Sequence, residues 1–141
     1  MNQVFADTVY WIAVLFPRDD LHLCAKQVVA SLGEVQIVTS EWVLTEVLDS
    51  FAERGTFLRQ GAARLVAMLA SHPDVLVISY GEVAFQQASE LYRQRLDKNW
   101  SVTDCSSFLI MERLGIIAAL SHDRHFEQAN FKALLRVEMS S

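Results

Sequence analysis

Cysteine is scarce in these 141 residues: Cys24 and Cys105 are the only two, far apart in the chain. That is neither a disulfide framework nor a zinc-ligand spacing. Two prolines and five glycines leave no linker, repeat or low-complexity stretch to divide the chain. The longest uninterrupted apolar run, Val9 to Phe16, is too short to span a bilayer. Basic residues are outnumbered, 12 Lys and Arg against 17 Asp and Glu, for a net charge of -5. Coating nucleic acid through broad charge neutralisation is therefore excluded, although a small site could still reach one phosphate through a metal ion. The start, Met1-Asn2-Gln3, carries no positive side chain and meets Asp7 early, so no secretory signal is expected. The expectation is a soluble, cytoplasmic protein with no membrane partner.

What the chain does have is apolar residues, 52% of the total, with 21% charged. That balance fits a globular chain with a full core, and the length fits one domain over residues 1–141. Gln3 to Ala6 reads as a strand ending on Asp7, and Val9 to Phe16 as a helix stopped by Pro17. Leu21, Cys24, Ala25, Val28, Val29 and Leu32 recur at helical spacing before Gly33. "VQIVT" reads as a strand, with Ser40 as the N-cap of a helix running through Phe51. Helices over Thr56–Ala70 and Glu82–Arg95 flank a β-branched strand, "VLVIS". Ser101-Val102-Thr103-Asp104 has the capping-box form at the head of a helix to Leu114. "GIIAALS" reads as another strand, and Leu134 to Val137 as a last one. Short apolar strands alternating with helices imply an α/β fold with a parallel sheet covered on both faces. Sites in such sheets form beyond the carboxyl ends of the strands. Asp7 and Asp123 both follow predicted strands and belong to that edge.

Burying an ionised carboxylate costs several kcal/mol unless it is paired or coordinated. At about 100° per residue, Asp104, Phe108 and Met111 share one line of their helix, so Asp104 heads an apolar stripe. A capping role explains Asp104 as well as a ligand role does, and the two are compatible. Asp7 and Asp123 have equally plain readings as N-caps. Glu46 falls on a polar face with Asp49 and Glu53, opposite Val43, Val47 and Phe51, where solvation is the default. Together, however, carboxylates crowded at one edge repel unless a cation intervenes. Oxygen donors of this kind select Mg²⁺ or Mn²⁺ over zinc. The chemistry implied is metal-assisted hydrolysis of a phosphate ester.

Four blocks, "VFADTVYWIA", "TSEWVLTEVLD", "WSVTDCSSFLIMERLGI" and "AALSHDRHFEQANF", resemble the ordered motifs of the PIN domain. The nearest type is the VapC-like toxin ribonucleases of toxin–antitoxin pairs. The resemblance runs from Val4 to about Leu135. It implies a three-layer α/β/α sandwich around a mostly parallel sheet of four to five strands, and Mg²⁺- or Mn²⁺-dependent cleavage of RNA. Its acidic set falls on Asp7, Glu46, Asp104 and Asp123, with Thr8 and Thr103 as neighbouring hydroxyl residues. By this likeness Asp7 and Asp104 are the main metal ligands and Asp123 completes the pocket. Glu46 would hold a water on the ion or position the nucleophile. The partners implied are an RNA substrate, an antitoxin protein and a second copy of the chain in a homodimer. The apolar helices Leu21–Leu32 and Leu58–Leu69 would supply that contact, although they fit one core equally well.

The remaining features read more plainly. Asp97 is an extra acid near the site in sequence, expected to pair with Lys98 or Arg95. His122 and His125 lack a further nitrogen or sulfur ligand for zinc and are placed at the surface rim, within reach of RNA. Cys105 is read as packing, and Trp11, Trp42 and Trp100 as core or edge residues, with base stacking by Trp100 as the sharper option. Arg54, Arg59, Arg64, Arg93, Arg95 and Lys98 could form a local phosphate-binding rim. Two further functions stay open: a catalytically silent module that binds nucleic acid or protein, and a metal-dependent nuclease or phosphatase acting on DNA.

Overall fold

In the computed structural model, which describes residues 2–137, strand β1 (Asn2–Ala6) lies at the centre of a five-stranded sheet. On one side it pairs with β2 (Val35–Ser40), which pairs with β3 (Val75–Ile78). On the other it pairs with β4 (Ala118–Leu120), which pairs with β5 (Lys132–Ala133). The order is β3-β2-β1-β4-β5, and every pairing is parallel. Buried parallel strands carry near-continuous apolar runs. Phe5 accordingly sits between Val38 and Ala119 with all three fully buried.

The helices between the strands are α1 (Thr8–Leu15), α2 (His22–Leu32), α3 (Glu41–Ser50), α4 (Thr56–Ser71), α5 (Glu82–Gln94), α6 (Val102–Leu114), α7 (Arg124–Gln128) and α8 (Leu134–Val137). The chain steps outward from β1 to β2 and β3, then crosses back to place β4 on the far side of β1. Right-handed crossovers put α1 to α4 on one face and α5 to α7 on the other. The packing agrees, with α1 touching α2, α3 and α4 and α6 touching α5 and α7, while α3 also reaches α6. The result is an α/β/α sandwich. Its switch of direction falls between β1 and β4, where crevices open in sheets of this kind.

Local signals place the helix ends. The Ser40 side chain accepts from Val43 N–H at the start of α3, as its N-cap reading requires. Ser101 and Asp104 close the full capping box on α6. Gly115 ends that helix in the left-handed conformation (φ 70°, ψ 28°), which a Cβ would disfavour. Met111, Leu120, Phe126 and Leu135 are fully buried and join the two sheet faces into the core.

Two predicted strands change. Only Ala118–Leu120 of "GIIAALS" pairs in the sheet, because Gly115 and Ile116 are still turning out of α6. Leu134 to Val137 is not the last strand but the helix α8; the last strand is the two-residue β5 just before it. A four-residue run fits either state by periodicity. Packing decides, because Leu135 is fully buried and its carbonyl accepts from the Cys24 thiol on α2 (3.7 Å).

Candidate active site

The carboxyl edge of β1 and β4 gathers the acids. Asp7 is the residue after β1, and its N–H donates to the carbonyl of Leu120, the last residue of β4 (3.3 Å). It occupies the N-cap position of α1, yet its side chain makes no capping bond. The carboxylate instead accepts from the Ser121 hydroxyl at Oδ2 (2.9 Å). Ser121, fully buried, accepts in turn from the N–H of Asp123 (3.0 Å). One hydroxyl therefore ties the acid after β1 to the acid after β4. On the neighbouring strand end, Thr39 Oγ1 donates to Ala6 O (3.0 Å) and accepts from Trp11 Nε1 (3.1 Å), which fixes the entry to α1.

Asp104 enters from the other face of the sheet. Its Oδ2 accepts from Ser101 N–H (3.1 Å) and lies 2.9 Å from Nδ1 of His125. That nitrogen is also 3.3 Å from Asp123 Oδ1, which caps α7 by accepting from His125 N–H (2.9 Å). Asp104, Asp123 and His125 each present a ligand atom, all within 4.8 Å of one another. Glu46 reaches the edge from α3, where its Oε1 accepts from Thr8 Oγ1 (2.7 Å).

The electrostatics follow from the burial. Asp7 is only 6% exposed. Burial pushes its carboxyl up to about 7, and the nearby charges of Asp104 and Glu46 push the same way against the hydrogen bonds from Thr8 and Ser121. Asp104, 9% exposed, is raised mainly by burial and also by Asp123; the Ser101 N–H and His125 oppose the shift. Both acids thus resist ionisation in the protein alone, as expected of a site lacking a compensating positive charge. Perturbed groups of this kind concentrate where chemistry is done.

The predicted residues sort as follows. Asp104 and Asp123 come together, and Asp7 joins them through Ser121 and through its electrostatic contact with Asp104. Asp7 and Glu46 are not members of the 4.8 Å group. Glu46 is half-buried and bonded to Thr8, unlike the exposed Asp49 and Glu53 with which the helical pattern grouped it. Thr103 is buried, with its carbonyl accepting from Ser106 Oγ (2.6 Å). Asp97 is exposed and paired with Arg95 (3.0 Å) and Lys98 (3.9 Å), as its plain reading has it.

His125 corrects the surface-rim expectation: it lies between two of the acids. Its sole signal in the sequence was its place two residues after Asp123. Ser121 gave none beyond standing two residues before Asp123. Trp100 is buried, donates to Gln128 Oε1 (3.0 Å) and packs against Phe108 and Arg95, so its ring is engaged within the protein. Burial pushes the Cys105 thiol up to about 11, which suits packing and not nucleophilic use. The expected basic rim is largely spent locally: Arg93 pairs with Glu90, Arg95 with Asp97, Arg59 donates to Ala52 O, and Arg54 lies over Phe16 and Phe51.

No family model matches the sequence, and no curated protein does. Among solved structures, VapC20 of Mycobacterium tuberculosis, a Sarcin-Ricin loop cleaving toxin, is similar with a TM-score of 0.82 at 27% identity, over 92% of this chain and 97% of that one. VapBC2 of Rickettsia felis, solved bound to a DNA fragment from their promoter, is similar with a TM-score of 0.63 at 13% identity, over 92% of this chain and 96% of that one.

Proposed function

This chain has a VapC-like PIN fold, and from that premise we propose that it is a single-domain endoribonuclease dependent on Mg²⁺ or Mn²⁺, the toxin of a toxin–antitoxin pair. One observation carries the proposal: buried Asp7 and Asp104 and half-buried Asp123 gather at the β1–β4 switch point, Asp7 linked to Asp123 through Ser121 and Asp104 grouped with Asp123. The likeness to VapC20 supports RNA over DNA as the polymer cut, and structured ribosomal RNA as a substrate to try first.

The residues fit a divalent cation. Carboxylates are the donors such ions prefer, and Asp7 and Asp104, raised chiefly by burial and further by neighbouring acids, would ionise more readily beside a cation. Asp7, Asp104 and Asp123 would hold the ion. When bound, it supplies activation of the attacking water and stabilisation of the charge developing on the phosphate. The chain does the positioning. Ser121 fixes Asp7 and the backbone of Asp123 in one arrangement, and the α6 capping box fixes Asp104. Glu46, oriented by Thr8, would place the attacking water. A homodimer belongs to the same reading and rests on the family resemblance. Sedimentation would report it.

The test is cleavage of ribosomal RNA, transfer RNA and single-stranded DNA with Mg²⁺, Mn²⁺ or EDTA, with Asp123→Asn and Asp104→Asn beside wild type. Cutting of RNA that requires the ion and falls by more than about 100-fold in both variants is expected, beyond what loss of a supporting contact brings. Equal cutting by folded variants, or cutting in EDTA, would sink the proposal.

A further inference from the structure

We infer that His125 is a nitrogen ligand of this centre and biases it toward Mn²⁺ over Mg²⁺. The inference rests on the metal-dependent reading above and deepens it.

The imidazole is half-buried and sits inside the acid cluster. Its Nδ1 lies 2.9 Å from Asp104 Oδ2 and 3.3 Å from Asp123 Oδ1. Octahedral bonds of about 2.1 Å place adjacent donor atoms about 3.0 Å apart. The two distances from Nδ1 are near that spacing, and all three donor atoms lie within 4.8 Å of one another, within reach of one small ion. Without an ion, Nδ1 is hydrogen-bonded to Asp104 Oδ2; as a ligand the ring would carry its proton on Nε2 and offer Nδ1 to the ion in place of that hydrogen bond. The N–H of His125 also donates to Asp123 Oδ1 (2.9 Å), so the backbone of α7 sets the ring and that carboxylate together.

Donor chemistry then sets the preference. Mg²⁺ seeks oxygen and keeps its waters, and an imidazole nitrogen offers it little. First-row transition ions accept imidazole, and of the two ions of the proposal Mn²⁺ is the one that belongs to that series. Two carboxylates and one imidazole, with Asp7 close by, make a mixed set matching Mn²⁺. An all-carboxylate centre would favour Mg²⁺ equally well.

The experiment uses metal-free full-length protein and reads binding without activity. Calorimetric titration gives the Mn²⁺ to Mg²⁺ affinity ratio, and pulsed electron paramagnetic resonance of bound Mn²⁺ detects nitrogen among its ligands. His125→Asp, which restores an all-oxygen set, and His125→Gln are measured beside wild type, with circular dichroism to verify folding. Wild type is expected to show nitrogen modulation. His125→Asp is expected to lose it while retaining Mg²⁺ binding, and its Mn²⁺ to Mg²⁺ ratio is expected to fall by roughly 10- to 100-fold, the scale on which metal-site substitutions act. Bound Mn²⁺ without nitrogen modulation, or a ratio unchanged in folded His125→Asp, would overturn this inference and leave the metal centre standing. Wild type that binds neither ion would overturn both.

Discussion

Asp7→Asn should stabilise the metal-free protein above neutral pH while disabling it. The folded-state carboxyl sits at about 7 against an ordinary value of 3.8, chiefly because it is buried. A raised acid favours the fold in its protonated form. Its contribution is intact below 3.8, is lost as pH rises from there to 7, and stays lost above. The gap is about 3 units, which at about 1.4 kcal/mol each is about 4 kcal/mol of stability missing at pH 8. Asparagine removes the charge, keeps the shape and can still accept from the Ser121 hydroxyl. In EDTA at pH 8 the variant should therefore melt roughly 10–15 °C above wild type, on the entropy scale of a domain this long. The advantage should shrink to nothing near pH 3. Saturating Mn²⁺ should raise wild type and leave the variant nearly unmoved, because an ion stabilises only the fold that binds it. Thermal melts at four or five pH values, with and without metal, provide the data. A variant no more stable than wild type at pH 8, or a gain that does not fade on acidification, would refute the claim that Asp7 is held against its ionisation.

Three further outcomes are expected. Thr8→Val should release Glu46 from its 2.7 Å tether and lower kcat more than it raises KM, measured by steady-state RNA cleavage, since it misplaces a group without removing a binding contact. Ser101→Ala removes the acceptor for Asp104 N–H and should cost about 1 kcal/mol by urea denaturation; no loss would mean the capping box is idle. Phe126→Ala empties a fully buried position packed edge-on against Phe108 at 5.0 Å, with an expected cost of about 3–5 kcal/mol, read as a lower urea midpoint.

The parts of this protein legible in its sequence are those decided within a few residues. Ser40 and Ser101 mark helix starts because capping satisfies backbone groups one turn away. The stripe through Asp104, Phe108 and Met111 follows from helical period alone, and all three are buried. Glu46 defeats the same logic. Its helical face is polar, but α1 crosses in front of it and supplies Thr8, a contact 38 positions distant. Ser121 and His125 were hidden for a related reason: their value depends on β4 pairing beside β1, which no local pattern encodes. The segment of α8 fits a strand as well as a helix, because four residues carry no usable period.

The central place of β1 bears on the order in which the acidic site assembles. Ser121 and Asp7, which the site needs joined, are 114 positions apart, and β4 leaves the ribosome after β1, β2 and β3. Synthesis runs at roughly 5–20 residues per second and the earlier elements can organise first. The slot beside β1 nevertheless stays open until β4 arrives, and distant parallel pairings of this kind form slowly. A nascent or prematurely ended chain holds Asp7 and Glu46 but not Ser121, Asp123 or His125. By this order of assembly the acidic site is completed only after β4 has been made, long after β1 has delivered Asp7.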